Sequence, residues 1–229
     1  MSTIESNLQA VRARITAAAN AAGRDPGAIA LLAVSKTFPE STLRAAHAAG
    51  QREFGENYVQ EALAKIAALS DLALTWHFIG PIQSNKTRAI AEHFDWVHSV
   101  ARTNIAQRLS DARPAGRQAL NICLQVNLSG ESSKSGVAPE EVRALADSVR
   151  ALPRLRLRGL MAIPEPSDDV ELQRRRFGEL RLLLAQLNAG GLALDTLSMG
   201  MSQDLETAIM EGATIVRIGT AIFGERKRA

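Results

Sequence analysis

Short apolar stretches alternate with amphipathic, helix-patterned stretches along this 229-residue chain, and that alternation constrains its fold more than any other feature. Strand-like apolar runs fall at 29–36, 52–55, 75–79, 95–99, 119–126, 155–163, 195–199 and 214–218. Helical patterns occupy the intervals at 39–49, 57–69, 85–93, 103–112, 139–152, 168–187 and 204–211, with no linker or low-complexity stretch between. Regular β/α alternation implies a parallel sheet with helices packed outside it, and eight units is the number that closes a barrel. The expected fold class is α/β, a (β/α)8 TIM barrel; an open doubly wound sheet is the alternative that eight regular repeats disfavour. One extra helix at 2–22 carries Ile4, Leu8, Val11 and Ile15 on a single face and ends at Gly23 and Pro26. The length suits one barrel domain over 1–229.

Charge and cysteine usage narrow the function classes. The formal charge of +3 is spread along helix faces, with no basic arm interleaved with aromatics, so nucleic acid is not an expected partner. No run approaches membrane-spanning length, and a soluble, cytoplasmic protein is expected. The single cysteine, Cys123, lies in an apolar run and reads as a core residue. The histidines do not fall at metal-ligand spacing, so no metal site is expected.

Chemistry concentrates at strand ends. The first strand pattern ends in Lys36, on the face shared by Ala30, Leu32 and Val34. An amine partly desolvated at the carboxyl edge of a barrel is a nucleophile toward carbonyls; a lysine merely capping a strand is the plainer alternative. After the seventh strand comes Ser198-Met-Gly-Met-Ser202, holding Met199, Gly200, Met201 and Ser202. After the eighth comes Arg217-Ile-Gly-Thr220, with Gly219 and Thr220. Two adjacent turns with glycine and hydroxyl, each leading into a helix, suit a phosphate cradle at the place barrels commonly put one. Pyridoxal 5'-phosphate (PLP), with an aldehyde and a phosphate, would bridge Lys36 and such a cradle. Arg217 lies on a buried strand and needs a partner. It could face the ring nitrogen of PLP and keep it unprotonated, or form an ion pair with a core carboxylate such as Glu56. Asn57 could contact the cofactor or cap a helix. His77, Met161 and Met199 could line the pocket, with core packing as the default for each. The 129–136 loop, which holds Lys134, reads as a solvated rim or a second anion site.

Seven segments together resemble one family. Ala33-Val-Ser-Lys-Thr37, Phe54-Gly-Glu-Asn-Tyr-Val-Gln-Glu61, Trp76-His-Phe-Ile-Gly80, Gln83-Ser-Asn-Lys86, Gly159-Leu-Met-Ala162, Leu197-Ser-Met-Gly-Met-Ser202 and Val216-Arg-Ile-Gly-Thr-Ala-Ile-Phe-Gly224 are similar to the pyridoxal phosphate homeostasis (YggS/PROSC) family. The resemblance implies a barrel like the amino-terminal domain of alanine racemase. It also implies PLP held as an imine on Lys36, phosphate contacts from Ser202, Gly219 and Thr220, and Arg217 near the ring nitrogen. The function it implies is intracellular PLP (vitamin B6) homeostasis and cofactor supply, with apo PLP-dependent enzymes as candidate recipients. The alternative is an enzyme such as an amino acid racemase, but Tyr58 is the only tyrosine, and the chain stops shortly after the last strand, without the domain that brings racemases a second base. A monomer without robust catalysis is therefore expected.

Overall fold

A computed structural model describes residues 3–129 and 135–225. Eight parallel strands close into a barrel in the order β1 to β8: β1 Ala30–Val34, β2 Glu53–Glu56, β3 Thr75–Phe78, β4 Trp96–Val100, β5 Leu120–Gln125, β6 Leu155–Met161, β7 Thr196–Ser198 and β8 Ile215–Ile218. The closing pair sets Leu32 opposite Arg217 and Ala33 opposite Ile218. The expected TIM barrel is the fold found. The helices between strands are α2 Glu40–Ala48, α3 Val59–Ala68, α4 Thr87–His93, α5 Thr103–Ala112, α6 Val142–Arg150, α7 Val170–Ala189 and α8 Leu205–Met210, with a short α9 at Thr220–Phe223 after β8. The extra helix is present as α1, Thr3–Ala21.

Period-two alternation sorts the side chains into two cores. The larger fills the layer between sheet and helices and includes Ala33, Phe54, Phe78, Val97, Ile122 and Ile218. The smaller lies inside the barrel, where Leu32, Val34, Ile79 and Ile215 meet Ala30 and Trp96. Cys123 is buried, as its apolar setting suggested, and burial raises its thiol pKa to about 12. Gly55 keeps the interior passable, because a Cβ there would come within 3.2 Å of Ile79 Cδ1 and 3.3 Å of Leu32 Cγ.

One strand ends earlier than its pattern suggested. β1 stops at Val34, and Thr37 takes a left-handed φ of 70°, which a β-branched residue adopts only when its surroundings impose it. Lys36 therefore sits in a turn rather than on a strand. No described helix is long and apolar enough to cross a membrane.

Helix α1 packs on α2, α8 and α9, so it joins the start of the chain to its end. Leu8, Val11, Ile15, Ala18 and Ala19 form its buried stripe. Polar contacts sit beside the stripe: Asn7 Nδ2 donates to the Ile222 carbonyl at 2.9 Å, and Arg24 donates to the carbonyls of Ile209 and Ala213 at 2.6 and 2.8 Å. Leu8 is fully buried. Leu8→Ala is expected to cost about 2–5 kcal/mol by loss of burial plus the cavity left behind, read from urea unfolding; a cost below about 1 kcal/mol would mean that the α1 contact is peripheral.

Candidate active site

The turn that carries Lys36 is held from both flanks by a buried ionic cage. Ser35 Oγ donates to Glu56 Oε1 at 2.6 Å, and the Ser35 carbonyl accepts from Lys65 Nζ at 2.8 Å. Lys65 also donates to Glu56 and Glu61 at 2.7 and 2.5 Å, and Glu61 in turn accepts the Thr37 N–H at 2.6 Å. Sequence placed these residues where they could meet: Glu56 ends β2, while Glu61 and Lys65 are one turn apart on α3. Burial raises the Glu56 carboxyl pKa despite Lys65 and Ser35. One Glu56 oxygen, Oε2, has no protein partner. The left-handed Thr37 is thus imposed by its bond to Glu61.

Lys36 is half-buried and lines a cavity of ≈ 530 Å³ at the carboxyl end of the barrel. Asn57, Met201, Ser202, Arg217, Gly219 and Thr220 line the same cavity, so seven of the eleven residues singled out from sequence are brought together. Lys36, Asp204 and Arg217 are its ionisable lining residues among those described.

The wall beside Lys36 is built by the last two strands and their turns. Gly219 packs so tightly that an added Cβ would lie 3.2 Å from the Val34 carbonyl oxygen. The Ser202 hydroxyl accepts from the Ala221 N–H at 3.4 Å, which places it against the first turn of α9. That turn begins with N–H groups that have no acceptor within the helix. Gly200 has φ 91°, and a Cβ on it would come 2.5 Å from the Ala208 methyl carbon, so only glycine permits this turn. Its carbonyl accepts from the Arg217 N–H at 2.9 Å. Arg14 of α1 braces the loop from outside, donating to the Ser202 carbonyl at 3.0 Å and pairing with Glu206 at 2.7 Å.

Arg217 is buried and makes no ion pair with Glu56, contrary to the alternative considered from sequence: Glu56 pairs with Lys65 of α3, while Arg217 is held by uncharged acceptors. Its Nη1 donates to the Ser198 carbonyl at 2.5 Å and to Ser198 Oγ at 2.8 Å, and Nη2 donates to the Ala162 carbonyl at 2.9 Å. Burial lowers its pKa to about 10, which still leaves it protonated and a pure donor at neutral pH.

Asn57 does not cap α3. The residue before that helix is Tyr58, with no side-chain cap, and Asn57 Oδ1 is buried without a protein partner. Gly80 lets this segment approach, since a Cβ there would lie 2.2 Å from the Asn57 carbonyl oxygen.

Four sequence candidates lie outside the cavity lining: His77, Met161, Met199 and Gly200. Met161 and Met199 are fully buried, Met199 within the sheet–helix core. His77 lies in the barrel interior and lines a different cavity, at the amino-terminal end. Lys134 lies outside the described residues. Among those described, no group of three or more histidine, cysteine or carboxylate side chains is placed to hold a metal ion. Sequence reasoning missed Asp204, Gln173 and the Ile163–Ser167 segment as cavity lining, and Ser198 as the partner of Arg217. Pro164 and Pro166 were the available signal for an ordered segment there.

The residues present fit PLP. An amine, a protonated arginine and a turn offering hydroxyls at the start of α9 surround one space, and its wall contains the unmet polar atom of Asn57.

The closed parallel barrel places the chain in a family of known fold: residues 6–227 match the family described as "Alanine racemase, N-terminal domain". Within it the chain belongs to the pyridoxal phosphate homeostasis proteins. It is 67% identical over 226 residues to the Pyridoxal phosphate homeostasis protein of Pseudomonas aeruginosa, covering 99% of this chain and 97% of that one. The Escherichia coli K12 protein of the same name is 53% identical over 229 residues, covering 99% and 98%. PipY of Synechococcus elongatus, solved with PLP bound, superposes with a TM-score of 0.85 at 41% identity, covering 96% of this chain and 100% of that one. Alanine racemase of Corynebacterium glutamicum shares the fold alone: TM-score 0.72 at 18% identity, over 97% of this chain and 61% of the racemase.

Removing the cage cation should expose its role. Lys65→Met leaves Glu56 buried without a counter-charge, an expected loss of about 3–5 kcal/mol at pH 7. The sign with pH is fixed. A carboxyl pKa raised in the folded state favours folding while protonated, and that contribution fades as pH rises through the folded value. The deficit relative to wild type should therefore shrink between pH 8 and pH 5 in urea unfolding; a deficit independent of pH would mean that Glu56 is not what the lysine holds.

Proposed function

We propose that this chain binds PLP through an imine link to Lys36 and acts as a carrier and reservoir that keeps the cofactor available to apo enzymes. The observation that carries this reading is the convergence of Lys36, Arg217 and the Ser202–Gly219–Thr220 wall on one cavity. PLP supplies an aldehyde for the amine and an electron-withdrawing ring. The protein supplies the amine on a turn fixed by the cage, hydroxyl and N–H donors for the phosphate, and Arg217 as a donor toward the ring nitrogen. A cationic donor there leaves that nitrogen unprotonated and the ring a poor electron sink. The 67% identical relative that carries the homeostasis name and the PLP-bound PipY support the ligand. A cytoplasmic monomer is part of the same proposal.

The reading against catalysis rests on the cavity wall. Tyr58, the one tyrosine in the sequence, is 56% exposed and does not line the cavity. Asp204 is engaged locally, accepting the Met201 N–H at 2.5 Å. No second base faces Lys36 across the cavity among the described residues, as a two-base racemisation requires.

Lys36→Ala should abolish the visible absorption of the bound cofactor, and the wild-type adduct should survive hydride reduction on that lysine. Retention of the band would move the attachment to another lysine, Lys86 first. Ser202→Ala with Thr220→Ala should keep the band yet lose cofactor faster on dialysis, since each hydrogen bond to a charged group is worth roughly 1.5–3 kcal/mol. Equal retention would put the phosphate elsewhere.

Incubation with alanine or serine in deuterated water separates carrier from enzyme. Exchange at Cα should stay at background, with the cofactor passing to an added apo enzyme. Turnover near ~1 s⁻¹ would restore the racemase reading.

A further inference from the structure

The interior of the barrel holds a polar chain that the cavity does not account for. Arg217 Nη1 donates to Ser198 Oγ at 2.8 Å, and Ser198 Oγ lies 2.7 Å from His98 Nδ1. His98 Nε2 lies 2.9 Å from His77 Nδ1. His77 Nε2 has no partner at hydrogen-bond distance and lies 3.7 Å from Glu53 Oε2. The residues come from β8, β7, β4, β3 and β2 in turn, and all but Glu53 are buried. The chain starts in the wall of the carboxyl-end cavity and ends in a second cavity of ≈ 360 Å³ at the amino-terminal end, lined by Glu53, His77, Trp96, Arg158 and Asp195.

Its direction follows from the donor inventory. A guanidinium only donates, so Ser198 Oγ accepts from it and sends its own proton to the remaining neighbour, His98 Nδ1. His98 is then the Nε2–H tautomer and donates to His77 Nδ1. His77 becomes the Nε2–H tautomer too, with that N–H toward Glu53. Every link points away from the cation and toward the carboxylate, so each bond dipole is aligned with the field between them. Ring packing restrains the imidazoles: His77 stacks on Trp96 at 5.5 Å and 6°, and Arg158 covers Trp96 at 4.7 Å.

We infer that Ser198, His98 and His77 are positioning residues, a one-way hydrogen-bond relay through the barrel that orients Arg217 from the end opposite the cofactor cavity. The consequence for cofactor chemistry rests on the PLP reading above; the relay itself does not. With aliphatic side chains in place of the two imidazoles, the Ser198 hydroxyl would be free to rotate beneath Arg217. With the relay, the hydroxyl proton is committed to His98, and its lone pair to Arg217.

The test uses the full-length ¹⁵N-labelled chain without cofactor. Long-range nitrogen–proton NMR should find His77 and His98 neutral, both protonated on Nε2. His98→Phe should speed proton exchange at the Arg217 guanidinium by roughly 3- to 10-fold, the loss of about one hydrogen bond, with His98→Gln recovering part of the protection. If His98→Phe fails to fold, His77→Phe preserves the ring stack on Trp96 and should give a smaller effect in the same direction. Nδ1–H tautomers, or Arg217 exchange unchanged in the folded variants, would overturn the relay. With PLP added, the variants should shift the absorption band and lose cofactor several-fold faster than wild type. A wild type that forms no band would sink the cofactor reading while the tautomers and Arg217 exchange still decide the relay.

Discussion

A guanidinium sealed inside a protein must find acceptors for nitrogens that can only donate, and Arg217 sets that condition for the whole upper barrel. Two carbonyls and one hydroxyl meet it: those of Ser198 and Ala162, and the side chain of Ser198. Those acceptors lie where β6 and β7 end. The Ser198 carbonyl also accepts the Ala162 N–H at 3.3 Å and uses its second lone pair for the arginine. The left-handed Gly200 then folds the loop back toward α8. The cavity wall is shaped by where the arginine's partners had to be.

The wall beside it solves a different electrostatic problem. Three charged side chains, Glu56, Glu61 and Lys65, are gathered beneath a turn that presents a fourth, Lys36. Glu56 and Lys65 are buried and Glu61 is partly exposed, and the Ser35 hydroxyl and Thr37 N–H add donors to the two carboxylates. The same two donors flank Lys36 in the chain. The backbone that carries the amine is therefore anchored on both sides.

The barrel was legible because the alternation of patterns is a property of the chain alone. That Lys36, Arg217, Ser202, Gly219 and Thr220 would meet around one cavity was legible because the carboxyl ends of barrel strands converge on one rim. Three things were not. Strand one was read two residues too long at its carboxyl end, because nothing in Ser35 or Lys36 themselves signals the break, which comes with Thr37, whose left-handed N–H is bonded by Glu61 from another element. Glu56 was offered as a partner for Arg217, but pairing depends on which face of β2 meets which helix, and Lys65 was closer. His77 was offered as a possible pocket residue, with core packing as the default. Its height along the barrel axis, decided by strand register, puts it at the other end.

The α1 brace also orders events in time. Asn7 reaches the carbonyl of Ile222, and Arg14 reaches that of Ser202, contacts across 215 and 188 positions of sequence. Strand β1 finds its second neighbour only when β8 emerges. Loops that close so great a sequence separation form late. A nascent chain therefore displays the Lys36 turn long before it owns a pocket around it. The cavity closes only when β8 has joined β1.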